Sequence, residues 1–277
     1  MLISCVCSLF LLGSMYDYNK LDVEAIRKSI VESKESNPRT VFQHLAHMAE
    51  LAERHDDMCM LMREVVKIAK DGKDLSLQER NLLSIAFKNA VGQRRAAWRV
   101  ALNDNDSSLD ALSKSFRHSI EKEIEPCCRD VLDLLENYLI PHPASNSDSQ
   151  IFYQKMAGDY YRYLAEIRPN DDDVRAQSSK FYGRAMATAE RALLPTDPVR
   201  LGLALNYSVC LYEIINDRPA ACVLARQAFD LAVAELRNID PSDALYRDCT
   251  LILQLLKDNL SLWVPEANNN LAPLEQE

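Results

Sequence analysis

The stretch from Arg80 to Ala101 constrains the fold more than any other part of the chain. Apolar Leu83, Ala86, Phe87, Ala90, Val91, Ala97, Trp98 and Ala101 recur at helical spacing, so one side of a single long helix must face a core. Lys88, Arg95 and Arg99 follow at steps of seven and four residues and share the other side. Gly92 stands between Lys88 and Arg95 and adds no side chain. The pattern describes a shallow notch flanked by cations, which suits a doubly charged anion such as a phosphate monoester. A basic cluster on a helix is more commonly a solvated face, and that reading stands beside the first.

Helical patterns continue along the chain. Asp17 to Ser33 carries Leu21, Ala25, Ile26 and Ile30 at helical spacing before Ser36-Asn37-Pro38 breaks it. Nine further helices are predicted over 41–54, 56–70, 76–103, 108–139, 148–168, 172–192, 198–215, 218–237 and 241–263. Their boundaries have chemical causes. Asp71-Gly72 ends one helix, and Ser76 with Glu79 forms a capping-box pattern for the next. Asp197 before Pro198 places a cap ahead of a proline at the first helical position. Only six glycines occur and 48% of residues are apolar, which favours an all-α protein with a sizeable core. The length admits one large domain or two small ones.

A net charge of −9 argues against a nucleic-acid partner. It also makes the local basic cluster more specific to one anion. Eight cysteines are present without a CxxC pair, so zinc-ribbon and thioredoxin chemistry fail on spacing. Most lie in apolar helical runs, which fits a reduced, cytoplasmic protein. Leu2 to Leu12 is apolar but too short to span a membrane. It reads as a plain apolar tail, as a stretch ahead of a true start at Met15, or as a targeting segment. Asp56-Asp57 and Asp171-Asp172-Asp173 lack the third spaced Asp of a diphosphate-metal motif. His44 and His47 share a helix face but have no further ligand nearby, so no metal is expected. No nucleophile–base set, Gly-rich phosphate loop or fixed internal repeat stands out, and neither catalysis nor a cofactor is expected.

The Arg80–Val100 stretch closely resembles the third helix of the 14-3-3 proteins. Gly158-Asp159-Tyr160-Tyr161-Arg162-Tyr163-Leu164-Ala165-Glu166, Pro198 to Val209, and Asp248 to Trp263 resemble later motifs of the same family, in its order and at nearly its spacing. The resemblance implies an all-α domain over residues 40–265, with nine antiparallel helices forming a concave groove. Residues 1–39 become an N-terminal extension with a short helix, and 266–277 a disordered tail. It implies a phosphate pocket of Lys88, Arg95, Arg162 and Tyr163, and peptide-backbone contacts from Asn206 and Asn259. Leu205, Val209, Leu251, Ile252, Leu255 and Trp263 match the family's groove wall. Glu213 is expected to help hold the groove's polar groups. The implied function is an adaptor that clamps phosphoserine or phosphothreonine segments of client proteins. The alternative is a scaffold of the same fold that binds unphosphorylated amphipathic peptides.

The family dimerises, and homodimers or heterodimers are expected. Arg54 and Glu123 match one cross-dimer salt bridge. Asp57 matches half of another, whose Lys is Ser119 here. The region from Trp98 to Phe116 is shorter than is typical of the family, and Ala97 replaces its regulatory serine. A weaker dimer, insensitive to phosphorylation on that helix, follows as the expectation. Pro126 falls inside the fourth predicted helix, where a proline costs about 3 kcal/mol unless the helix bends.

Overall fold

The computed structural model describes residues 21–33, 37–69, 74–103, 110–141 and 147–263. Within them the chain forms ten α-helices and two π-helical segments, with no strand among the described residues. The helices are α1 (Val23–Ser33), α2 (Pro38–Leu51), α3 (His55–Ala69), α4 (Leu77–Leu102), α5 (Asp110–Leu134), α6 (Ser147–Ile167), α7 (Asp172–Ala192), α8 (Pro198–Val209), α9 (Arg218–Leu236) and α10 (Ala244–Trp263). The nine predicted from residue 41 onward are α2 to α10, and α1 is the short helix of the extension. The apolar segment 2–12, Met15 and the tail 266–277 lie outside the described residues.

Side chains fix the helix starts. Ser76 Oγ accepts the Glu79 N–H at 3.3 Å while Glu79 Oε2 accepts the Ser76 N–H at 2.8 Å, completing the capping box expected for α4. Asp197 Oδ1 accepts the Val199 N–H at 2.8 Å, with Pro198 in the first turn of α8. The same device starts α2 at Pro38, three residues earlier than predicted. Asn37 Oδ1 accepts the Arg39 N–H at 3.0 Å, so the Asn-Pro pair that ends the extension also opens the next helix.

Two predicted helices change character near their ends. The segments Leu135–Leu139 and Cys210–Ile215 are π-helical continuations of α5 and α8. Asn216, at φ 64°, closes the second in the left-handed region that Asn tolerates. Pro126 lies inside α5, which runs through it and gives up one backbone hydrogen bond.

Each helix from α2 to α10 packs on its predecessor, and α10 also returns onto α8. The core is continuous in three overlapping parts. The largest spans α2 to α7 and buries Phe42, Met62, Phe87, Ile124 and Tyr153. A second joins α6, α7 and α8 through Ile151, Tyr182 and Leu203. The third joins α8, α9 and α10 through Leu201, Phe229 and Leu256. Leu21, Val23, Ile26 and Ile30 lay the apolar side of α1 on the first part, and Arg27 Nε donates to Glu64 Oε2 at 2.8 Å. The extension therefore contributes to the core of its own chain.

Candidate functional site

The basic side of α4 borders an open cleft that it shares with Glu50, Glu53 and His55 around the α2–α3 turn and with Tyr163 of α6. The cleft has a volume of about 640 Å³, and its lining includes Lys88, Gly92, Arg95 and Tyr163. A Cβ built on Gly92 would meet nothing within 4 Å, so the notch inferred from the sequence is open space. Lys88 is exposed and forms no ion pair among the described residues. Arg95 is more constrained. Its Nη2 donates to Glu166 Oε1 at 2.6 Å and its Nε to Glu166 Oε2 at 3.0 Å, a two-point fork. Its guanidinium also lies over the Tyr163 ring, 3.7 Å from the centroid.

Arg162 reaches the same ring from α6, at 4.8 Å. Its Nη1 donates to Glu166 Oε1 at 3.5 Å, and exposed Arg99 approaches that oxygen at 3.6 Å. Three arginines thus converge on one carboxylate. Sequence reasoning expected these cations to be held ready for a ligand. In the chain itself Glu166 fills that role and fixes the geometry of Arg95.

Beneath this layer sits Asp159. Its Oδ1 accepts hydrogen bonds from the Tyr182 hydroxyl and from Asn206 Nδ2, the latter at 2.8 Å. Arg162 Nη2 donates to the same oxygen at 3.4 Å, and Lys155 Nζ donates to Oδ2 at 2.9 Å. Burial alone would raise the Asp159 pKa, but the charges of Lys155 and Arg162 and the Tyr182 hydrogen bond outweigh it and hold it below the ordinary carboxylate value. Arg162 is itself buried, which opposes its charge. Tyr182 and Asp159 reverse that effect and keep its pKa well above the usual value. Burial, with Asp159 beside it, raises the Tyr163 phenol despite the nearby arginines, so its hydroxyl stays protonated and able to donate.

Arg95, Arg162, Tyr163 and Asn206 are therefore joined in one network, with Lys88 on the rim of its cleft. Asn206 is held by Asp159. Glu213 is exposed and makes no hydrogen bond among the described residues, so it does not hold the groove's polar groups as expected. Asn259, half-buried on α10, has no side-chain hydrogen bond among the described residues. On the same helix Leu251 is 67% exposed and Leu255 46%. Side chains that exposed are not core, so Leu251 and Leu255 form an apolar stripe that the described residues leave uncovered. Ile252, Leu205 and Trp263 are half-buried against the third part of the core, and Val209 is half-buried on α8. Trp263 stacks on Tyr212 at 4.5 Å and 10°.

Arg54, Asp57 and Glu123 are used within the chain. Arg54 pairs with Asp57, and Arg94 Nε reaches Glu123 at 3.3 Å. Arg54 and Glu123, matched across a dimer by resemblance, each have a different partner in the single chain. His47, one half of the histidine pair, contacts Glu50 at 3.1 Å.

Sequence reasoning missed Asp159, Glu166, Tyr182 and Tyr212. A signal for the first two was present: they lie three residues before and four after Arg162, the spacings at which helix neighbours meet. Tyr182 and Tyr212 approach from other helices, and no local spacing marks them.

Comparison with known proteins identifies relatives of the chain. The family model described as 14-3-3 protein matches residues 45–264. 14-3-3-like protein 2 of Caenorhabditis elegans is 47% identical over 229 residues, covering 80% of this chain and 90% of that protein. 14-3-3 protein zeta of Bombyx mori is 47% identical over 232 residues, covering 81% and 92% respectively. 14-3-3 protein beta/alpha of Homo sapiens is 45% identical over 228 residues, covering 80% and 90%.

Proposed function

This chain belongs to the 14-3-3 family, and from that premise we propose that it is a noncatalytic adaptor that clamps phosphoserine- or phosphothreonine-containing segments of client proteins. The observation that carries the reading is the convergence of Arg95 and Arg162 on Tyr163 and Glu166 beside Lys88, which forms no ion pair among the described residues. A phosphate monoester brings nearly two charges and three acceptor oxygens, more than a single Asp or Glu offers. It competes with Glu166 for the same guanidinium forks, which are already aligned and lose little freedom on binding. Asn206, tethered through one amide hydrogen to Asp159, retains a carbonyl and a second hydrogen for an extended peptide backbone. Exposed Leu251 and Leu255 supply the apolar wall on which the peptide's side chains rest.

The exposed apolar stripe is also the observation that favours the second reading, a scaffold for unphosphorylated amphipathic peptides. Calorimetric titration of the full chain with a phosphoserine peptide and its unphosphorylated twin separates the two. Charge-assisted hydrogen bonds contribute about 1.5–3 kcal/mol each, so the phosphopeptide is expected to bind at least about tenfold more tightly. Lys88→Ala should weaken the phosphorylated peptide and leave the twin unchanged. Equal affinities for both peptides would establish the scaffold and remove the adaptor reading.

The adaptor reading extends to a dimer in the cytoplasm, where two sites bind doubly phosphorylated clients at raised effective concentration. Support comes from exposed apolar side chains on α2, the end of α4 and the start of α5: Met48, Leu51, Val100, Leu112 and Phe116. No helix among the described residues is long and apolar enough to cross a membrane.

A further inference from the structure

We propose that Cys59 and Cys127 form a reversible intramolecular disulfide when the chain meets a peroxide, tying α3 to α5. The inference stands apart from the phosphopeptide reading. Cys59 on α3 and Cys127 on α5 lie along the α3–α5 interface, with Cys127 packed against the part of the core that buries Cys59. Their register is fixed on both sides. One turn earlier, Arg94 bridges the two helices, with Nη1 2.9 Å from Asp56 Oδ1 and Nε 3.3 Å from Glu123 Oε2. One turn later, Arg63 on α3 pairs with Asp130 on α5. The order Asp56, Cys59, Arg63 thus runs beside Glu123, Cys127, Asp130 in the same direction. Each cysteine is held level with the other by ion pairs above and below. Disulfides require this close, fixed approach of two thiols.

The two sulfurs are not equivalent. Cys127 is half-buried, so a small oxidant can reach it, whereas Cys59 is 6% exposed. The neighbouring Cys59 thiol and then the charge of Arg94 lower the Cys127 pKa against the opposing effect of burial. Cys59 is shifted upward by the neighbouring Cys127 and by its burial, so it remains a thiol. Neighbouring Cys128 is buried, and its pKa is pushed up by that burial. The chemistry is assigned accordingly. The Cys127 thiolate attacks one oxygen of hydrogen peroxide. An S–O bond forms, the O–O bond breaks, sulfur loses two electrons, and hydroxide leaves and takes up a proton as water. Cys59 sulfur then attacks the sulfenic acid. The S–S bond forms, and the S–O bond breaks with loss of a second water that carries the Cys59 proton. The net change consumes one peroxide and two thiols and yields one disulfide and two waters. A thiol reductant reverses it.

The test exposes the reduced full chain to hydrogen peroxide, blocks remaining thiols with N-ethylmaleimide, and maps a non-reduced digest by mass spectrometry. The expected product is a cross-link between the Cys59 and Cys127 peptides, lighter than their sum by two hydrogens and lost on adding dithiothreitol. Cys128→Ala should leave the cross-link yield unchanged. In Cys59→Ser, dimedone should trap sulfenic acid on Cys127. The proposal is overturned if N-ethylmaleimide still labels both residues fully after peroxide. It is equally overturned if Cys127 links to another cysteine, Cys5, Cys7 and Cys128 included, or if the link joins two chains.

Discussion

Replacing Gly158 by Ala sets two known effects against each other. Gly158 lies inside α6, where glycine is a poor helix former, and alanine there would gain about 0.8–1 kcal/mol on propensity alone. The added methyl has nowhere to go. Its Cβ would stand 2.8 Å from Cγ and Cδ1 of Tyr182, a side chain with 0% exposure. Such overpacking costs about 1–3 kcal/mol, so the net change is a destabilisation of about 0–2 kcal/mol. At about 2–4 °C per kcal/mol for a chain of this size class, Tm falls by up to about 8 °C. Gly202 on α8 is the control, because a Cβ there meets nothing within 4 Å. Gly202→Ala should raise stability by about 0.5–1 kcal/mol. The substitution at Gly158 also moves the phenol that accepts from Arg162 Nε at 3.1 Å and donates to Asp159. Loss of that hydrogen bond, worth about 0.5–1.5 kcal/mol, should weaken phosphopeptide binding about two- to tenfold. Calorimetric unfolding of both variants, with phosphopeptide titrations, tests the reasoning. If Gly158→Ala stabilises the chain as much as Gly202→Ala and binds normally, the close approach of α6 to Tyr182 does not position Arg162.

Val209→Asp should abolish peptide binding by fluorescence anisotropy while circular dichroism stays unchanged, since Val209 is half-buried and the new charge would face the peptide path; normal binding would remove Val209 from the groove. Asp159 has a depressed pKa in the folded chain, so its stabilisation is complete above the unfolded value of about 3.9 and is lost as pH falls through the folded value. Asp159→Asn should therefore flatten the acid side of the Tm–pH profile, and an unchanged slope would show that Asp159 is not stabilised as a carboxylate. A chain starting at Arg39 lacks α1, its half-buried Val23, Ile26 and Ile30, and Arg27, one of the two cations paired with Glu64, whose side chain is 8% exposed. Its Tm should fall below that of the full chain, and sedimentation should show dissociation at micromolar concentration; an identical Tm would show that α1 does not stabilise the protomer.

The succession of helices was legible because each boundary is local. Ser76 with Glu79, and Asp197 with Pro198, satisfy backbone groups within three residues, and the apolar period of α4 needs no partner to be read. The chain family was legible too, because four long motifs keep their order and spacing. Cation placement on α4 also followed from the sequence, since residues 88, 92 and 95 share a side by helical geometry alone. What those cations do is a tertiary property. Arg95 and Arg162 lie on different helices, and only the packing of α4 on α6 through α5 brings both to Tyr163 and Glu166. Asp159 became the centre of the site because α7 delivers Tyr182 and α8 delivers Asn206 to the same oxygen. The placement of Cys59 level with Cys127 arose in the same way, from two helices whose register is set by Arg63 on α3 and Arg94 on α4. Helical periodicity states which way a side chain points from its own axis. Which other side chain it meets depends on how neighbouring axes are placed, and the summed burial of the core and its ion pairs fixes that placement.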